Sequence, residues 1–159
     1  MSTERAGMTT DDNKALITYL IAEGLNGGNL EVADEQHFTP GYTVHIPGRT
    51  DLPSGPAAFQ RVIGMYRAAF QDWHMVIEQL VAEGDFVSNR FTTTGTHTGP
   101  LYGFPPTGRT MIVHGQELHR LEDGRVAETW VCDDGPSIML QLGILPPPGP
   151  PAGAPGPPS

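Results

Sequence analysis

His114–Gly143, HGQELHRLEDGRVAETWVCDDGPSIMLQLG, is the stretch whose reading decides the fold. Glu122-Asp123-Gly124-Arg125 reads as a hairpin turn, because Gly124 can take the left-handed backbone conformation that other residues resist. Strand-compatible runs flank it, from Thr110 to Leu121 and from Val126 to Cys132. The second run delivers Trp130, Asp133 and Asp134 together before Gly135-Pro136 stops it. A short apolar helix carrying Ile138, Met139 and Leu142 follows. An aromatic ring and two carboxylates at a strand end make either a site or a solvated turn beside a core Trp.

The chain upstream is consistent with a sheet completed around this hairpin. Trp73–Val81 and Phe86–Gly99 read as strands joined at Glu83-Gly84-Asp85. The loop Pro100–Gly108 is stiff and aromatic, with Tyr102 and Phe104 placed to line or lid a pocket. Ser54-Gly55-Pro56 starts a helix in which Phe59, Val62, Ile63, Tyr66, Ala69 and Phe70 recur at threes and fours. Earlier still, Asp11 or Asp12 can cap a helix with Leu16, Tyr19, Leu20 and Glu23 on one side, ended by Asn26-Gly27-Gly28. Leu30–Phe38 reads as a second short helix, and Pro40-Gly41 turns the chain into a short strand at Tyr42–Ile46. Helix, helix, short strand, helix and four long antiparallel strands make an α+β fold with the helices on one sheet face.

The 159 residues suit one domain, spanning residues 11–145. Residues 1–10 are polar and read as a flexible N-terminus, whereas 146–159, with eight prolines and nothing more apolar than alanine, read as a disordered, extended tail. Net charge is −9 with Lys14 the single lysine, so there is no basic face for nucleic acid and no attraction to anionic membranes. Cys132 is the only cysteine, which excludes an intrachain disulfide and a thiolate cluster. No signal segment or membrane-length apolar run is visible, so a cytoplasmic location is expected.

The candidate chemistry is acid–base. His45, His74, His97, His114 and His119 show no spacing that pairs two ring nitrogens, and no HExxH occurs, so no metal is expected. Neither a GxGxxG loop nor a GxSxG elbow around Ser54, Ser88 or Ser137 is present, so no nucleotide cofactor or serine nucleophile is implied. Histidines and carboxylates in an aromatic pocket remain. His45 is a pocket candidate or a satisfied core histidine; His97, between the glycines of GTHTG, is a candidate for pocket lining; His37 and His74 belong at the surface or rim. Strand parity puts Trp130 and Asp134 on one face and Asp133 on the other, which favours Asp134. A two-residue turn would add Val113, Glu117, His119 and Glu128 to the face of Trp130. A three-residue turn with a bulge would instead add His114, Gln116 and Arg120 beside Glu128.

The run HR-x-x-DGR-x-x-E-x-W, followed by Asp134 and Gln141-Leu142-Gly143, resembles the C-terminal signature of the SnoaL-like polyketide cyclases. Phe70–His74, Ala82–Asp85, Gly95–Gly99 and Pro105–Arg109 resemble the same family in the same order, over Asp11–Leu145. The resemblance implies a cone-shaped fold of the nuclear transport factor type, with a curved antiparallel sheet and helices on its concave face enclosing a pocket. It also implies a cofactor-independent aldol cyclisation with Asp134 as acid/base and His119 assisting, although the adjacent Arg120 competes for that second role. His45, Trp73, His97, Phe104, His114, Arg120, Glu128 and Trp130 are the expected substrate-binding residues, and a small apolar carbonyl compound the expected ligand. Hydroxylating, hydrolytic or rearranging relatives, a non-catalytic binding protein and an interaction module stay open. A homodimer or homotetramer is expected, because an open sheet leaves an apolar outer face to cover.

Overall fold

A computed structural model describes residues 7–149. Residues 1–6 of the expected flexible N-terminus and 150–159 of the expected tail lie outside the described residues; 146–149 are exposed and without regular structure. Thr9, not Asp11 or Asp12, caps the first helix, α1 (Thr10–Tyr19). Its hydroxyl accepts from the Asp12 N–H at 3.1 Å and the Asp12 carboxylate accepts from the Thr9 N–H at 2.9 Å, so each satisfies a donor the helix leaves open. The helix runs on with π-type winding through Leu20–Asn26.

The expected helix over Leu30–Phe38 is a single 3-10 turn, Leu30–Val32. The Asp34 carboxylate accepts from the N–H groups of Gln36 and His37, which closes a turn that competes with helix. Strand β1 therefore begins early, at Phe38, and runs to His45 (Phe38–His45). Pro40-Gly41 lies inside β1 rather than turning the chain, at the irregularity where pairing passes from Phe38↔Val126 to Thr43↔Glu128. Gly55, at φ +78°, donates its N–H to the Tyr42 carbonyl at 2.8 Å and launches α2 (Pro56–Ala69) with proline in its first turn. Then come β2 (His74–Glu83), β3 (Phe86–Thr96), β4 (Thr110–Glu122), β5 (Arg125–Asp133) and α3 (Gly135–Gln141).

The five strands stand in the order β1-β5-β4-β3-β2 in a curved, unclosed sheet. β2 to β5 are antiparallel, as expected, but β1 runs parallel to β5, so the sheet is mixed. β1 stands at one edge of the sheet and β2, reached through α2, at the other. Ile17, Leu20, Ile21 and Leu25 from the first helix, with Phe59, Val62 and Ile63 from α2, pack on the concave face against Phe38, Tyr42, Phe91 and Met111. Each such side chain contributes about 1.5–3 kcal/mol on full burial. Among the described residues no helix is long and apolar enough to cross a membrane.

The β4–β5 hairpin closes on the two-residue loop Asp123-Gly124, both at positive φ, with Glu122↔Arg125 and Leu121↔Val126 as its first pairs. The next pair is Arg120↔Glu128, so Ala127 is an extra residue, a bulge. Beyond it Thr129, Val131 and Asp133 line the concave side with Glu117 and His119.

A side chain ties the first helix to the sheet. Asn26 Nδ2 donates to the Met75 carbonyl at 2.9 Å, and the Met75 N–H donates to Asn26 Oδ1 at 2.7 Å. Asn26→Ala leaves both backbone groups of Met75 without these partners, so the free energy of unfolding in urea should drop by about 1–3 kcal/mol with an unchanged denaturant slope. A loss below a few tenths of a kcal/mol would mean that water replaces the amide without cost.

Candidate active site

Helices and sheet enclose a cavity with about 930 Å³ of empty space, its open mouth included. Leu20, Phe59 and Val62 wall it from the helices, and Phe91, Met111 and Val113 from the sheet. Into this apolar space the strands project a small set of polar groups: Glu117 and His119 from β4, Thr129 and Asp133 from β5, and Tyr42 from β1. α2 adds Tyr66.

Most of these groups satisfy one another. Asn89 on β3 donates from Nδ2 to Glu117 Oε2 at 3.2 Å and faces His119 Nε2 with Oδ1 at 2.9 Å. An amide oxygen only accepts, so His119 Nε2 carries a proton, which is also directed toward Glu117 Oε2 at 3.4 Å. Nδ1 of the same ring meets the Thr129 hydroxyl at 3.0 Å. The Tyr42 phenol bonds to Thr129 and is pushed far above its ordinary value, chiefly by burial. Both His119 nitrogens are thereby engaged within the protein, and the ring acts by fixing Glu117 and Thr129.

Asp133 stands apart from this network. It lies across from Gly115, and a Cβ on Gly115 would run into the Phe91 ring and sit 2.9 Å from the Cys132 carbonyl. Burial pushes the Asp133 carboxyl up, and the charges of Glu117 and Asp134 push it further. The Tyr66 phenol is raised well above its ordinary value, first by burial and then by the charges of Tyr102 and Asp133. Tyr66 therefore stays protonated and presents a hydroxyl to the cavity that Asp133 also lines.

The expected site residues divide sharply. His119 and Trp73 line the cavity. Asp134 does not: it is exposed and caps α3, its Oδ1 accepting from the Ser137 N–H at 3.0 Å. It lies one residue past the end of β5, whereas Trp130 points to the outer sheet face. Trp130 is 36% exposed and stacks on His45 at 5.6 Å. His45 Nε2 meets Glu128 Oε1 at 2.8 Å, Arg120 lies 3.6 Å from the same carboxylate, and His114 pairs with Thr92, all on that outer face. The turn is the two-residue one, but the bulge at Ala127 produces the face expected of the longer loop. His97 is fully buried yet off the cavity lining, its Nδ1 accepting from the Thr107 N–H at 3.2 Å. Phe104 is 43% exposed, and its neighbours Leu101 and Tyr102 reach the cavity instead.

Sequence reasoning missed Tyr42, Tyr66, Asn89, Thr129 and Asp133 as site residues. Tyr66 was legible only as part of an apolar helix stripe, and Asp133 was set aside by face. Among the described residues no group of three or more His, Cys, Asp or Glu is arranged to hold a metal ion.

The family described as SnoaL-like polyketide cyclase matches residues 15–142. Nogalonic acid methyl ester cyclase of Streptomyces nogalater is 28% identical over 124 residues, 77% of this chain and 92% of its own. Aklanonic acid methyl ester cyclase of Streptomyces peucetius is 28% identical over 130 residues, 77% of this chain and 86% of its own. Among solved structures, TsrD from Streptomyces laurentii superposes with a TM-score of 0.76 at 26% identity, covering 86% of this chain and 98% of its own.

The raised Asp133 carboxyl has a consequence for stability. A group with a higher pKa folded than unfolded opposes folding once ionised; the penalty is absent below the unfolded value and complete above the folded one. Asp133→Asn should therefore melt above the native protein near pH 7, and the difference should vanish as pH falls below about 4. A variant that melts lower near neutral pH would show that Asp133 is held by favourable contacts instead.

Proposed function

The chain belongs to the SnoaL-like polyketide cyclase family, and from this we propose that it is a polyketide cyclase that closes a ring by intramolecular aldol addition. The observation that carries the reading is Asp133, a carboxylate that burial pushes up, on the wall of an apolar cavity that Tyr66 also lines. The relatives named for ester cyclisation support the reaction class. In the proposed scheme the Asp133 carboxylate removes a proton from a carbon next to a carbonyl, and the Tyr66 hydroxyl donates a hydrogen bond to the enolate oxygen that forms. The enolate carbon attacks a second carbonyl of the same molecule, forming the new C–C bond. The resulting alkoxide takes back the proton from the Asp133 carboxylic acid, so the product is an isomer of the substrate and the enzyme is restored. His119 acts as a positioning residue, orienting Glu117 through Asn89 and holding Thr129. Every step uses the chain's own groups.

A raised pKa suits this task, because a base poised nearer working pH also returns its proton readily. Ring closure of a polyketide-like diketone, followed as a mass-neutral change in absorbance and retention, tests the assignment. Asp133→Asn should lower turnover by about a hundred- to ten-thousandfold with affinity within a few-fold, while Asp134→Asn stays near the native rate. The native rate should rise with pH through a value above the ordinary carboxylate range, since the base acts ionised. Inactivity of Asp134→Asn with an active Asp133→Asn would move the base to the outer end of the strand.

The same reading includes a homodimer or homotetramer. Ile112, Leu118 and Trp130 are exposed on the outer sheet face, an apolar area that a second copy would cover. Sedimentation should show a dimer or larger, shifted toward monomer by Leu118→Arg; a monomer at every concentration removes this part of the reading.

A further inference from the structure

Two polar atoms in the cavity wall have no hydrogen-bond partner among the described residues: Trp73 Nε1 and Thr93 Oγ1. Trp73 is only 8% exposed and Thr93 only 1%. A buried donor without a partner costs about 1–3 kcal/mol, so native interiors contain few, and those that occur call for an explanation. Here two occur together. Met75 pairs with Thr93 across β2 and β3, and continuing that register one step past His74↔Thr94 brings Trp73 opposite Gly95. Trp73 and Thr93 are thus diagonal neighbours on the concave face.

The indole has little freedom to find a partner elsewhere. Tyr66 stacks on it at 4.4 Å with 19° between planes, and Phe70 packs at 5.9 Å. The Phe70 ring also fills the space where a Gly95 side chain would be, 3.0 Å from a built Cβ, so a larger residue there would dislodge the cluster. Thr93 is β-branched, which narrows the directions open to its hydroxyl.

We infer that Trp73 Nε1 and Thr93 Oγ1 form a second polar subsite, which receives a second uncharged carbonyl oxygen of the substrate, distinct from any oxygen held at Asp133. The inference rests on the reading of this cavity as a site for carbonyl compounds. Position separates Thr93 from Asp133. Asp133 lies across from Gly115 on β4, Gly115 pairs with Phe91 on β3, and Thr93 is two residues further along β3. Two strand spacings and the two-residue offset place Thr93 roughly 12 Å from Asp133 at the backbone, too far for one oxygen to serve both. Charge selects the oxygen's type. Among the described residues no lysine or arginine lines the cavity, while Glu117 and Asp133 do, so a ketone, ester or amide carbonyl fits there better than a carboxylate. An indole N–H only donates, so an acceptor oxygen is the required complement. Held at this oxygen, an extended substrate is oriented lengthwise, with its reacting carbonyl toward Asp133.

Tetralone and tetralin, which differ by one carbonyl, are the probes, and binding rather than turnover is the readout. In the ¹⁵N-labelled full chain the Trp73 indole N–H cross-peak is identified by its retention in Trp130→Phe. Tetralone should shift that resonance downfield, as a new acceptor does, and tetralin should leave it nearly in place. Thr93→Val, which preserves shape, and Trp73→Phe should each weaken tetralone about five- to tenfold while tetralin changes less than about twofold. Equal affinity for the two probes, with no carbonyl-dependent effect of Thr93→Val, overturns the subsite and leaves the cavity reading intact. Failure of both probes to bind in the cavity overturns both.

Discussion

The pairing of β4 with β5, offset by one residue at Ala127, governs what this protein can do. With the bulge, Thr129, Val131 and Asp133 turn inward and Glu128, Trp130 and Cys132 turn outward. Side chains alternate along a strand, so a single inserted residue decides the facing of everything beyond it. The neighbouring strand carries no offset: β3 and β4 pair without interruption from Phe86↔Arg120 to Thr96↔Thr110. The inward set of β5 is therefore delivered against a fixed row of Gly115, Glu117 and His119.

Within the cavity, polar groups fall into a satisfied framework and a set left available. Asn89, Glu117, His119, Thr129 and Tyr42 exchange hydrogen bonds across four strands, which makes their burial tolerable and holds their geometry. Asp133 is different: its shift comes from burial and two like charges, with no hydrogen bond among its causes. Trp73 and Thr93 likewise lack partners. Groups kept short of partners in an otherwise well-packed interior are where a ligand has most to offer, and where stability is given up for function.

The chain shares its family with relatives at 28% identity, and pocket chemistry at that distance is decided residue by residue. Gly115, paired with Asp133, makes room for the Phe91 ring, and Gly95 lets Phe70 brace Trp73. These two glycines set the cavity's shape from positions whose own side chains are absent.

Local signals determined the elements of this protein. The Asp123-Gly124 turn, the Gly55-Pro56 helix start and the alternation of β3 and β4 act over a few residues, and each forms as those residues dictate. They suffice for an α+β fold and for His119 and Trp73 as candidates. Where chemistry competed locally, the pattern misled: Asp34 capped a turn in place of the helix over Leu30–Phe38, and Thr9 took the cap from the aspartates. The choice between Asp133 and Asp134 lay beyond any local signal, because alternation says which residues share a face and not which face is concave. That depended on the bulge, on helices packing from residues far away in the chain, and on contacts such as Asn89 with Glu117, 28 residues apart. Only the folded chain brings those partners together, and with them the site.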